Sequence, residues 1–230
     1  MDSNPKAARS STSGASTLLH EPAPIWFSFS APPVSGTRPA IFLDRDGVIN
    51  EQIVGGYVSS WSEFRFIPGI RSALATLSEI GLPIIVVSNQ AGVGKGIVSA
   101  TALAAITNQF VLELRNASAR IDAVYYCPHI PADGCGCRKP RAGLLEEAAQ
   151  EWRVDLSRSI LIGNSMTDVQ AARAVNCHCI LWASGSMTTP SPETAVIGTI
   201  DEIVSTVQGF LQREVSGIFG SNHEELHGHR

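Results

Sequence analysis

The chain has 230 residues, 44% of them hydrophobic, and its 17 basic and 21 acidic side chains leave a net charge of −4. That is enough for one domain with a sizeable core plus tails, and it provides no basic footprint for nucleic acid. No stretch approaches the roughly 18 apolar residues of a membrane span, so a soluble protein is expected.

Residues Met1 to about Arg38 are rich in Ser, Ala, Pro and Gly and show no sustained period. Such a segment cannot bury enough apolar surface to offset the entropy of ordering, so 1–38 is expected to be a mostly disordered extension. Ile25-Trp26-Phe27 is too short and too near prolines to be the apolar stretch of a secretory signal. Asp2, Glu21 and the sparse basic content argue against a transit peptide. The aromatic patch Trp26-Phe27-Ser28-Phe29 has a reason to dock, either on the following domain or on a partner.

From Ala40 onward strand and helix patterns alternate. Ile41-Phe42-Leu43 is an apolar run that ends in Asp44-Arg45-Asp46-Gly47. It reads as a buried strand delivering two carboxylates to a loop at its C-terminal end, the edge at which open α/β sheets bind ligands. Side chains alternate along an extended segment, so Asp44 and Asp46 point the same way. They are then close enough to share a metal ion or to divide nucleophile and acid/base work. Taken alone, Asp-x-Asp-Gly is equally a strand ending in a solvated turn.

Pro68-Gly69 opens a helix with Ile70, Ala73, Leu74, Leu77 and Ile80 on one face and Gly81 beyond its end. Leu82 to Val87 is a second buried strand, followed by Ser88-Asn89-Gln90. Gly92, Gly94 and Gly96 around Lys95 make either a flexible connector or a phosphate loop, and their spacing fits neither a Walker loop nor a dinucleotide fingerprint. Ser99 is placed to cap a helix reaching about Asn116.

A third strand, Ala123 to Tyr126, leads into Cys127, His129, Cys135 and Cys137. Three thiols and one imidazole within eleven residues match a closed, structural four-ligand zinc site. Arg138-Lys139-Pro140 follows directly, so the metal would fix two cations that are otherwise long and floppy. Gly143 to Trp152 reads as a helix and Ser159 to Gly163 as a strand, which ends in Asn164-Ser165-Met166-Thr167-Asp168. A helix carrying Ala171, Ala172 and Ala174 precedes a strand from Cys177 to Trp182, where Cys177 and Cys179 read as core. Pro190 and Pro192 mark a loop, Ile200 to Leu211 a last helix and 214–230 a flexible tail whose His223, His227 and His229 are too dispersed to bind metal. The expected fold is α/β, a doubly wound and mainly parallel sheet with a small zinc-binding loop, over residues 39–213.

Asp44-x-Asp46, Ser88-Asn89, Lys139 and the loop from Gly163 to Asp168 together resemble the four motifs of haloacid-dehalogenase-type phosphatases, over about residues 40 to 185. Several stretches narrow this: Asp-Arg-Asp-Gly-Val-Ile-Asn, Gly56-Tyr57-Val58, Phe64-x-Phe66-x-Pro68-Gly69, Asn89-Gln90, and Tyr-Tyr-Cys-Pro-His before Cys-x-Cys-Arg-Lys-Pro. They are similar to the D-glycero-D-manno-heptose-1,7-bisphosphate 7-phosphatases. A sister family, the histidinol-phosphate phosphatases, shares the zinc loop, and the five residues between His129 and Cys135 suit either.

The resemblance implies that Asp44 attacks phosphorus while Asp46 acts as acid and then base. It further implies Mg²⁺ on the Asp44 carboxylate, the Asp46 carbonyl and Asn164, supported by Asp168. Lys139 and Ser88 would contact the phosphoryl oxygens, Arg138 a second phosphate, and the Gly55-Gly56-Tyr57 loop, Asn89 and Gln90 the sugar. Where the family carries an aspartate, this chain has Asn164, and where the heptose enzymes tend to carry a lysine it has Ser165. Weaker Mg²⁺ binding is expected. Three readings follow: a heptose-bisphosphate phosphatase, a phosphatase for histidinol phosphate or another small ester, and a zinc-stabilised binding module. The first implies a monomeric, cytoplasmic enzyme acting on a small phosphorylated sugar.

Overall fold

The computed structural model describes residues 23–182 and 194–220. Seven strands form one sheet: β1 (Ile25–Ser28), β2 (Ile41–Leu43), β3 (Ile84–Asn89), β4 (Ala123–Cys127), β5 (Ile160–Gly163), β6 (His178–Trp182) and β7 (Thr194–Ile197). Their order across the sheet is β1-β4-β3-β2-β5-β6-β7, and every pairing is parallel except β1 with β4. Among the described residues six α-helices accompany them: α1 (Ile70–Glu79), α2 (Ala91–Gly94), α3 (Ala100–Asn116), α4 (Gly143–Trp152), α5 (Met166–Ala174) and α6 (Asp201–Gly220).

The period of two along each central strand divides the core into two layers. Ile41, Leu43, Ile84, Val86, Val124 and Tyr126 pack with Leu74, Leu77, Phe110 and Val207 of α1, α3 and α6. The intervening residues Phe42, Ile85, Val87 and Tyr125 pack on the other face with Leu144, Leu145, Val169 and Ala172 of α4 and α5. Because β2 lies between β3 and β5, the chain leaves the sheet in opposite directions on either side of it. The ends of these three strands therefore open a crevice at the C-terminal edge, and this places the site.

Four expectations change. The segment 25–28, read as part of a disordered extension, is an antiparallel strand of the sheet, and Phe27 and Phe29 of its aromatic patch dock on the domain itself while Trp26 stays exposed. The reason is the alternation Ile25, Phe27, Phe29, which lays three apolar side chains on the core, Phe27 edge-on to Tyr126 at 6.1 Å. The second strand runs two residues further than its apolar run, so Ser88 and Asn89 belong to β3, with Asn89 paired to Cys127. Gly92 and Gly94 lie in or beside a single packed turn, where the Gly94 amide donates to the Pro128 carbonyl at 2.9 Å. The last helix continues to Gly220, into the stretch read as tail. The loop at Pro190 and Pro192 and the three C-terminal histidines lie outside the described residues.

Candidate active site

The crevice holds a cleft of about 280 Å³ lined by Asp44, Asp46, Ser88, Lys139, Arg138 and Asn164, with Gly56, Tyr57 and Asn89 on its walls. Nine of the expected site residues thus converge from three strand ends and two loops. Two do not line it. Gln90 is buried beneath the floor, where its amide donates to Asp46 Oδ2 at 2.7 Å and to Ser88 Oγ at 3.2 Å. Asp168 is wholly buried: Oδ1 accepts from Lys139 Nζ at 2.5 Å, and Oδ2 accepts from the Ser165 amide at 3.1 Å and hydroxyl at 2.6 Å. With both oxygens engaged and no access to the cleft, Asp168 anchors Lys139 and caps α5 instead of ligating a cation.

Lys139 reaches this position because Asn89 clips its backbone. The Lys139 amide donates to Asn89 Oδ1 and the Asn89 amide to the Lys139 carbonyl, each at 3.0 Å. Nζ then lies 3.1 Å from Asp44 Oδ1 and donates to the Val87 carbonyl at 2.9 Å. Burial works against its charge, but Asp168 and Asp44 together raise the Lys139 pKa. Burial, with Asp168 and Asp46 nearby, pushes the Asp44 carboxyl up to about 6 against the pull of Lys139. Three carboxylates here, Asp44, Asp46 and Asp168, face two buried cations, Lys139 and Arg45, with Arg138 on the cleft wall.

Two glycines allow this crowding. Gly47, at φ +86°, packs directly on the Asn164 amide, and any side chain there would overlap it. Gly163 leaves the space taken by the Asp168 carboxylate. Asn164 Nδ2 donates to Gln52 Oε1 at 3.3 Å, which leaves its Oδ1 for another partner. The Asp44 carboxylate, the Asp46 carbonyl and Asn164 Oδ1 are hard oxygen donors on one side of the cleft, a set that fits Mg²⁺.

The sequence pattern did not single out Arg45 or Gln52. Arg45 is fully buried, and its guanidinium donates to Asp46 Oδ1 from Nε at 3.2 Å and from Nη2 at 2.8 Å, and from Nη2 to Oδ2 at 2.9 Å. Asn50 adds a third donor group, Nδ2 to Oδ1 at 2.9 Å. Burial opposes the Asp46 charge, yet Arg45, Asn50 and Gln90 hold its carboxyl below the usual range. The available signal was an arginine between two aspartates in a buried run, whose opposite parity sends it into the core, where it needs a partner.

Beside the cleft, the donor atoms of Cys127, His129, Cys135 and Cys137 all lie within 4.8 Å of one another. His129 Nδ1 is 3.1 Å from Cys137 Sγ and 3.3 Å from Cys127 Sγ. Hydrogen bonding to Cys137 holds the Cys127 thiol down at about 5, while the same contact pushes Cys137 up, as expected of thiols sharing protons in one small space. Three sulfurs and one ring nitrogen fit tetrahedral zinc and leave no open position. Arg138 follows Cys137 and donates to the His129 carbonyl at 3.3 Å, which ties the loop to the cleft wall.

A HAD-hydrolase-like family model matches residues 136–209. The D-glycero-beta-D-manno-heptose-1,7-bisphosphate 7-phosphatase of Escherichia coli (strain K12) is 33% identical over 184 residues, covering 76% of this chain and 95% of the relative. The chain belongs to the heptose-bisphosphate phosphatase family. Another relative in this family, the D-glycero-alpha-D-manno-heptose-1,7-bisphosphate 7-phosphatase of Mycobacterium tuberculosis, is 40% identical over 142 residues, 61% of this chain and 75% of that one. The solved structure of the D,D-heptose 1,7-bisphosphate phosphatase from B. bronchiseptica, complexed with magnesium and phosphate, superposes with a TM-score of 0.67. It is 30% identical and covers 76% of this chain and 99% of that one. A HAD-like phosphatase from Mesorhizobium loti gives a TM-score of 0.73 at 27% identity, over 84% of this chain and 96% of that one.

Proposed function

We propose that this chain removes the 7-phosphate of D-glycero-D-manno-heptose 1,7-bisphosphate, in the synthesis of nucleotide-activated heptose, through a phosphate ester of Asp44. One observation carries the reading: Asp44 stands at the floor of a cleft with the buried Lys139 ammonium 3.1 Å away and a second carboxylate, Asp46, on the same wall. Asp44 attacks phosphorus; Lys139 and the Ser88 hydroxyl hold equatorial phosphoryl oxygens as charge develops on them. Asp46, ionised in the free site, takes up a proton as the phosphate ester binds and gives it to the leaving sugar oxygen, then takes one from the water that cleaves the ester. Held by the Asp44 carboxylate, the Asp46 carbonyl and Asn164, Mg²⁺ would supply the positive charge that lets an anionic nucleophile approach a phosphate dianion.

Arg138, on the wall and tethered through the zinc loop, is suited to the second phosphate of a bisphosphate by its planar fork. Tyr57 and Gly56 face the sugar, while Asn89 holds the Lys139 backbone at the cleft wall. Asp168 and Gln90 serve the reaction from behind, by setting Lys139 and Asp46. No helix among the described residues is long and apolar enough to cross a membrane, and the proposed enzyme works in the cytoplasm as a monomer.

Phosphate release from both anomers of heptose 1,7-bisphosphate, beside histidinol phosphate, tests this with zinc-replete protein and excess Mg²⁺. Preference for a bisphosphate, with the 1-phosphate as product, is expected. Release from none of them, by folded zinc-bound protein, would overturn the assignment in favour of a phosphatase-like binding module.

A further inference from the structure

Arg45 has no place in the reaction just described, yet it makes the most extensive ionic contact in the site. Its guanidinium is shut away from solvent, 5.7 Å from the ring centroid of Tyr126, and grips both oxygens of Asp46. A buried ion pair is by itself a poor stabilising device, since well-packed apolar side chains of similar volume commonly do as well or better. The arrangement makes sense as orientation. Behind the guanidinium, the Tyr126 ring is fixed by a hydrogen bond from its hydroxyl group to Thr107 at 2.9 Å and by the edge contact with Phe27.

We propose that Arg45 is the positioning residue that aims the Asp46 carboxylate at the cleft, so that its loss removes acid/base help while leaving attack by Asp44. The inference rests on the reading of Asp46 as acid and base. In the first step a P–O bond forms to Asp44 while the bond to the leaving oxygen breaks, and the proton on Asp46 goes to that oxygen. In the second step water gives its proton to Asp46 and attacks phosphorus, and the bond to Asp44 breaks. A nitrophenolate leaving group needs no proton, so only the second step then depends on Asp46.

The test is Arg45→Met with p-nitrophenyl phosphate and with heptose 1,7-bisphosphate. On the nitrophenyl ester the variant should release about one nitrophenolate per site in a burst, followed by turnover slowed about 10²-fold. On the sugar ester, single-turnover cleavage itself should slow by about that factor, with no burst. Arg45→Met/Asp46→Asn, which removes both charges and leaves no unpaired buried ion, is compared with Asp46→Asn alone. Equal activity of these two is expected and needs no folded single Arg45 variant. Losses that are equal on both esters without a burst, or that add to Asp46→Asn, would overturn the positioning role and leave the phosphatase reading intact. Wild type inert on both esters would overturn both.

Discussion

Replacing Asp168 by asparagine separates an anchor for Lys139 from a metal ligand. The change is nearly isosteric, but Oδ1 faces the Lys139 ammonium at 2.5 Å and Oδ2 faces the Ser165 amide and hydroxyl. The new NH₂ must point at one of these donors, and Lys139, wholly desolvated, keeps only Asp44 as a counterion. Breaking a buried pair on one side costs about 3–5 kcal/mol. For a domain of this size each kcal/mol moves the midpoint by about 2–4 °C, so thermal unfolding should fall by about 6–20 °C. Lys139 then sits against Asp44 without an opposing carboxylate to hold it for the phosphoryl oxygens. Activity should drop at least about 10²-fold, the scale of losing one positioned donor to developing charge. Unfolding followed by circular dichroism and phosphate release titrated with Mg²⁺ give the two readouts. A loss of less than about 1 kcal/mol, or activity restored by raising Mg²⁺, would refute the argument.

Asn164→Asp should lower the Mg²⁺ needed for half-maximal activity by about tenfold or more, because a carboxylate replaces a neutral amide beside Asp44 in a weakly screened pocket; no change in the titration would mean that Asn164 does not ligate. Metal analysis should find one zinc per chain, and Cys135→Ser or prolonged chelation should lower the unfolding midpoint and activity together. Retention of both would make the Cys127 to Cys137 loop independent of metal. Phe27→Ala should destabilise the protein by about 2 kcal/mol, measured by urea unfolding, since a half-buried aromatic ring is lost from the Tyr126 contact.

Most of the parallel sheet was legible because its strands are apolar on both faces and end abruptly in polar residues. Ile41-Phe42-Leu43 before Asp44 shows this plainly, as does the run through Val87 before Ser88. The cluster of Cys127, His129, Cys135 and Cys137 was legible through spacing alone, because thiols and an imidazole so close in sequence have few other uses. What escaped was information carried between segments. The strand at 25–28 is isolated in a Ser- and Pro-rich context, and only its pairing with Tyr126, about a hundred residues away, makes it pay. Gln90 and Asp168 have the right chemistry for sugar or metal, and their turn behind the cleft is a matter of rotamer and neighbour that no motif encodes. Arg45 was hidden by its flanking aspartates, although its partner is one residue away.

The position of β1 has a consequence for how the molecule can be handled. Beneath it lies β4, Ala-Val-Tyr-Tyr-Cys, uncharged and buried along its whole length. A chain shortened to begin near residue 39 would bare the backbone donors and acceptors of that strand, the kind of template on which copies add to one another edge to edge. The same strand ends in Cys127, so intermolecular pairing there would pull at the cluster of Cys127, His129, Cys135 and Cys137 as well. The few residues from Ile25 to Ser28 thus act as a guard against self-association, and the shortest soluble form of this enzyme should start before them.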